Sequence, residues 1–269
     1  MTTRYKSLFH NVFLKKEICF IPFLILGDPT IEISLKIIDS LINNGVDAIE
    51  LGFPFSDPMA DGPIIQRANL RAFKAKVTVK KCLDMVHIIR KKHKNIPIGL
   101  LLYSNLIVQK GIYHFYSQCN KIGIDSILIA DVPVEEYNIF YKAATLYNID
   151  PIFICPPNAE EKLIQKIIKY SKGYIYMLSR PGVTGFHKNY NDNISFLIKK
   201  LKKITSIPLV QGFGIHNTEQ IKNIIQFGLN GVICGSVLIN IIEKYSHNIK
   251  KMLNMLVSLS IQLKNSTKL

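Results

Sequence analysis

The chain has no C-x-x-C pair, no H-E-x-x-H or related histidine spacing, and no apolar run near the ~18 residues of a membrane span. Its five cysteines, Cys19, Cys82, Cys119, Cys155 and Cys234, are odd in number, far apart and mostly flanked by apolar residues. That pattern favours reduced thiols in a cytoplasmic core over a disulfide or metal framework. The opening MTTRYKSLFHNVFLKKE has no apolar h-region and no small-residue cleavage site, so no secretory leader is expected. Acidic residues are scarce: 19 Asp and Glu stand against 34 Lys and Arg, a net charge of +15. Excess base is one signature of nucleic-acid binding. Here the clusters, Arg90–Lys94 and Lys199–Lys203, fall at predicted helix C-termini, where cations complement the helix dipole. They are not interleaved with aromatics, and no nucleic acid or membrane partner is expected.

A linker, a low-complexity tract and a shift in composition are also missing. With 269 residues, 48% of them hydrophobic and 20% charged, the chain can bury a full core and reads as one domain over 1–269. Eight short apolar runs predict strands: Cys19–Leu26, Ala48–Gly52, Ile98–Leu102, Ser126–Ile129, Pro151–Ile154, Tyr174–Leu178, Pro208–Gln211 and Gly231–Cys234. Segments with apolar residues at helical spacing alternate with them. These are Ile31–Asn43, Val79–His93, Ile112–Lys121, Glu135–Tyr147, Glu160–Tyr170, Ile194–Lys203, Glu219–Phe227 and one long final helix, Val237–Leu263. Asn44-Gly45 and Phe227-Gly228 are placed to end helices, and Thr30 to start one. Eight strand–helix units predict an α/β fold, a (β/α)8 barrel with extra N-terminal and loop helices. The competitor, an open doubly wound sheet, usually carries G-x-G-x-x-G after its first strand, where this chain has Leu26-Gly27-Asp28-Pro29-Thr30.

In such a barrel, chemistry sits at the C-terminal ends of the strands. Alternation along the second strand puts Ala48, Glu50 and Gly52 on one face, with Ile49 and Leu51 facing the helices. Glu50 then points into the barrel. A carboxylate there is costly unless it is paired or functional, and the strands offer few basic partners. Desolvation should raise its pKa, which suits a group that both gives and takes a proton. Asp57 and Asp61 follow in a stiff, proline-rich loop; each could equally be a solvated turn residue. After the sixth, seventh and eighth strands come Arg180–Gly185, Gln211–Ile215 and Cys234-Gly235-Ser236, glycine-bearing turns that could bring backbone N–H groups to a phosphate. No predicted strand carries a lysine, which disfavours a strand-borne Schiff base. Together these features point to cofactor-free acid–base chemistry on a phosphorylated small molecule.

The run Glu50-Leu51-Gly52-Phe53-Pro54-Phe55-Ser56-Asp57-Pro58-Met59-Ala60-Asp61-Gly62-Pro63 closely resembles the signature of the tryptophan synthase alpha chain family. Pro22-Phe23, Leu26–Pro29, Ala130–Pro133, Ile154–Asn158, Ser179-Arg180, Gly182–Gly185 and Gln211–Gly214 extend the resemblance over essentially the whole chain. It implies a lyase of tryptophan biosynthesis that cleaves indole-3-glycerol phosphate to indole and glyceraldehyde 3-phosphate. Glu50 would be the general acid–base residue, and Asp61 would accept the indole N–H hydrogen bond. Gly185, Phe213, Gly214, Gly235 and Ser236 would hold the phosphate through their backbones. Phe23, Leu101, Leu128, Tyr176 and Ile233 would line the indole pocket, with a core role open for each. Thr184 would lie on a mobile loop and touch Asp61 on closure. The implied partner is a pyridoxal-phosphate-bearing beta chain in an α2β2 heterotetramer, contacted through Asp57 and Pro58, with no cofactor on this chain. Two departures stand out: Phe53 where Val is more usual, and Pro181, expected to stiffen the hinge of the loop that continues through 186–193. A non-catalytic activator of the beta chain and another phosphate-binding barrel enzyme are the alternatives. The intact acid pair argues against the first, and the loop after the second strand against the other.

Overall fold

The computed structural model describes residues 1–178, 190–212, 214–215 and 217–269, with 190–193 described through their backbone. Eight parallel strands close into a barrel in sequence order. They are β1 (Cys19–Ile25), β2 (Ile49–Gly52), β3 (Ile98–Leu102), β4 (Ser126–Ile129), β5 (Asp150–Cys155), β6 (Ile175–Leu178), β7 (Leu209–Gly212) and β8 (Gly231–Cys234). All eight fall where the apolar runs predict them, to within a residue or two. The outer helices are α1 (Thr3–Leu14), α2 (Ile31–Asn43), α3 (Pro63–Lys74), α4 (Val79–Lys92), α5 (Ser104–Val108), α6 (Ile112–Ile122), α7 (Asn138–Leu146), α8 (Glu161–Tyr170), α9 (Tyr190–Ile204), α10 (Thr218–Gln226), α11 (Ser236–Tyr245) and α12 (Ile249–Asn265).

The expected boundary signals operate. The Thr30 hydroxyl accepts from the Ile33 N–H at 3.3 Å and caps α2, and Gly45 leaves that helix at φ +91°. The predicted long last helix is two. The apolar period continues across the join, but Asn248 stands outside the helix and its side chain accepts from the Lys251 N–H, starting α12 afresh. The helix α3, directly after the acidic loop, was not among the predicted segments.

The α1 helix closes the barrel floor. Tyr5 is buried there, its hydroxyl 3.0 Å from Ser126 Oγ and its ring edge-on to Tyr174 at 5.6 Å. Arg90 departs from the other cations of its basic run. It is buried, pairs with Asp125 at 2.9 Å and donates to the carbonyl oxygens of Gly123, His93, Lys94 and Ile96. Lys202, from the second basic cluster, donates to the Gly228 carbonyl at 3.0 Å. Phe53 is buried against Phe115 at 6.3 Å between ring centroids, so the larger side chain is absorbed by α6. Among the described residues no helix is long and apolar enough to cross a membrane.

Candidate active site

Strand alternation decides where Glu50 goes. It pairs in register with Phe23 of β1 and Gly99 of β3, and its side chain turns into the barrel with only 2% of its surface exposed. The Tyr174 hydroxyl, rising from just before β6, donates to Glu50 Oε1 at 3.0 Å. Oε2 is buried and has no hydrogen-bond partner among the described residues. Burial pushes the Glu50 carboxyl up to about 7, against the Tyr174 hydrogen bond, which favours the charged form. No cation is among the causes of its shift, so an internal salt bridge does not account for this residue.

The loop that follows brings the second carboxylate back over the barrel. Backbone turns tie the Met59 N–H to the Asp57 carbonyl at 2.8 Å and the Asp61 N–H to the Pro58 carbonyl at 2.9 Å. Two residues outside the loop fix its course. Tyr103, at the end of β3, stacks on Phe55 at 4.7 Å, and its hydroxyl accepts from the Ala60 N–H at 3.1 Å. Asn69, on α3, accepts from the Phe55 N–H at 3.2 Å. Asp61 is 7% exposed; burial raises its carboxyl to about 6, while hydrogen bonds from Tyr103 and Asn69 oppose the rise. The same loop leaves Asp57 and Met59 in solvent, with Pro58 partly covered. The three acids of one stretch are therefore sorted by burial: two inside and one out.

Glu50 and Asp61 line one cavity at the barrel mouth. Its walls are Phe23, Leu101, Tyr176 and Ile233 from the strands, Ile65 from the first turn of α3, Gly214 and Ile215 after β7, and Gly235 and Ser236 at the start of α11. Nine of the residues singled out from sequence meet here. Leu128 does not reach the wall; it is buried beside Leu101 in strand register, as a core residue. Thr184, Gly185 and Phe213 lie outside the described residues, as do Arg180, Pro181 and the loop tail through 189. Tyr174, Tyr103, Asn69 and Ile65 were not read as site residues. Tyr174 looked like a strand start, and the other three act through loop geometry that one sequence does not display.

Small side chains are required at two points of the wall. A Cβ at Gly235 would approach the Phe23 ring to 2.8 Å, and one at Gly212 would overlap the Tyr176 phenol. Gly235 and Ser236 put the N-terminus of α11 on the cavity wall, where first-turn backbone N–H groups favour an anion. The cavity is thus lined by two carboxyls, apolar side chains and a helix N-terminus.

The model of the family described as "Tryptophan synthase alpha chain" matches residues 9–268. The tryptophan synthase alpha chain of Buchnera aphidicola subsp. Baizongia pistaciae is 55% identical over 267 residues, with 99% of each chain covered. That of Escherichia fergusonii is 52% identical over 265 residues, covering 98% of this chain and 99% of its own. Among solved structures, tryptophan synthase subunit alpha from Legionella pneumophila superposes with a TM-score of 0.90 at 28% identity, over 99% of each chain.

Proposed function

The chain belongs to the tryptophan synthase alpha chain family, and from that premise we propose how its own residues carry the alpha reaction. The substrate is indole-3-glycerol phosphate. Its phosphate is held by Gly214, Gly235 and Ser236; the family resemblance gives Gly185 and Phe213, outside the described residues, the same role. Its indole ring lies between Phe23, Leu101, Tyr176 and Ile233, with the ring N–H on Asp61.

Glu50, neutral when substrate binds, gives its proton to indole C3. The ring becomes cationic, and the fixed Asp61 carboxylate stabilises that charge. The bond from C3 to the glyceryl carbon then breaks, its electron pair returning to the ring. The hydroxyl on the departing carbon becomes the aldehyde as its proton passes to Glu50, which ends protonated as it began. Indole and glyceraldehyde 3-phosphate leave, and no redox partner or bound group is needed for the balance.

The observation that carries this reading is that two buried carboxyls, Glu50 and Asp61, line one cavity. Burial raises both, Glu50 to about 7 and Asp61 to about 6, which favours Glu50 as the proton donor and Asp61 as the anion. We further propose that residues 1–269 act as one barrel domain in the cytoplasm. The chain pairs with a beta chain in an α2β2 assembly through the Asp57–Pro58 loop, where exposed Met59 adds apolar surface. Pyridoxal phosphate belongs to that partner. The test is indole release from indole-3-glycerol phosphate by the purified chain, alone and with a beta chain. Indole in both cases, faster with the partner, is expected; none in either overturns the reading and leaves a non-catalytic activator.

A further inference from the structure

Helix α3 begins two residues after Asp61, and α11 begins at Ser236, so each helix continues directly from a residue that lines the cavity. The two helices are clamped together by charge. Arg67 and Arg71, one turn apart on α3, both reach Glu243 on α11. Arg67 does so bidentately at 2.7 and 3.1 Å, and Arg71 through Nη1 at 3.6 Å. Arg71 also grips Asp28, in the loop after β1, with Nε on Oδ1 at 2.6 Å and Nη2 on Oδ2 at 2.8 Å. The Asp28 carboxylate is 1% exposed and the Arg71 side chain 19%. The strand β1 supplies Phe23, whose ring packs under Gly235. One guanidinium therefore joins the three elements that carry Phe23, Asp61 and Ser236.

Stability does not explain this arrangement. Exposed pairs such as Arg67–Glu243 contribute little, and a buried pair is often no better than apolar residues of similar size. What a fork-to-fork Arg–carboxylate pair fixes is geometry. Here the fixed quantity is the span between Asp61 and Ser236. That span matters because a substrate anchored by its phosphate must present its ring N–H at Asp61.

We propose that Arg71 is a positioning residue of the alpha reaction, acting through Asp28 and Glu243 to set the distance between Asp61 and the N-terminus of α11 on the cavity wall. This rests on the function proposed above.

The experiment compares the parent with the double variant Arg71→Met, Asp28→Asn, which removes the pair without stranding a buried charge. Arg71→Lys serves as the variant that keeps charge but loses the fork. Steady-state indole release gives kcat and KM, and an NMR titration with inorganic phosphate reports the α11 N-terminus alone. The double variant is expected to fold, to lose about tenfold or more in kcat, and to bind phosphate within roughly twofold of the parent. Arg71→Lys should fall between them. A folded double variant with parental kcat and KM overturns the inference, and so does a loss of phosphate affinity in step with kcat, since the anion site itself would then have collapsed. If the double variant does not fold, Asp28→Asn alone decides. A lower kcat with unchanged phosphate binding supports the inference, and a parental kcat overturns it. A parent that releases no indole overturns the functional reading itself, whereas an active parent beside an indistinguishable variant overturns this inference alone.

Discussion

The Tyr174 hydroxyl donates a 3.0 Å hydrogen bond to Glu50 Oε1 from the opposite side of the barrel. It is the one described side-chain contact that opposes the effect of burial on this carboxyl. Removing it in Tyr174→Phe takes away stabilisation of the charged form, so the Glu50 pKa should move further up. The high-pH limb of kcat/KM should shift upward in that variant, measured as a pH–rate profile against the parent. A limb that stays in place or moves down contradicts the assignment of that limb to Glu50.

The two raised carboxyls also predict the shape of the profile. Asp61 must be ionised and Glu50 protonated, so activity should rise through about 6 and fall through about 7, a narrow bell. Asp61→Asn should lose the rising limb and about hundredfold or more in kcat. A sharp acid limb persisting in that variant would assign it to another group.

Glu50 further links catalysis to stability. Its folded-state pKa is raised from 4.5 to about 7. Below 4.5 neither folded nor unfolded chain carries the charge, and above 7 the folded chain must bury it. Stability from this group is thus full at acid pH and is lost as pH rises across that window, by about 3 kcal/mol in all. Glu50→Gln should be more stable than the parent at pH 8 by roughly 2–3 kcal/mol, shrinking below about 1 kcal/mol at pH 5. Urea denaturation at the two pH values checks it; equal stability at pH 8 would mean that the ionised carboxylate is not disfavoured by its site.

Gly212 and Tyr176 are neighbours with no room between them. In Gly212→Ala the new methyl group must displace the Tyr176 phenol from the cavity wall. Activity should drop about tenfold or more while the barrel persists, because a misplaced wall disturbs the ring before it disturbs the core. Kinetics together with a thermal melt separate the two effects, and unchanged kcat/KM would show that Tyr176 does not set the ring's position.

The barrel was legible because each strand is a short apolar run bounded by turn residues, from Cys19–Ile25 to Gly231–Cys234. Glu50 was legible because an acid on the inward phase of an apolar strand conflicts with its surroundings. Asp61 was not separable from Asp57 by residue pattern; the family signature distinguished them, and burial now gives the physical difference. The break at Asn248 was hidden because the apolar period runs on through it. Leu128 came from the family resemblance with a core role open, and it is buried beside Leu101 in strand register without being among the residues that line the cavity. Tyr174, Tyr103 and Arg71 act across 124, 43 and 43 residues of sequence, on Glu50, Ala60 and Asp28. Separations of that kind exist only once the barrel has closed.

The most direct test of the account is the indole-release rate of Glu50→Gln at neutral pH, with substrate binding measured on the same sample. The account predicts bound indole-3-glycerol phosphate and no indole above background, because the amide can accept the Tyr174 hydrogen bond but has no proton to give C3. Near-parental indole release by this variant would contradict it.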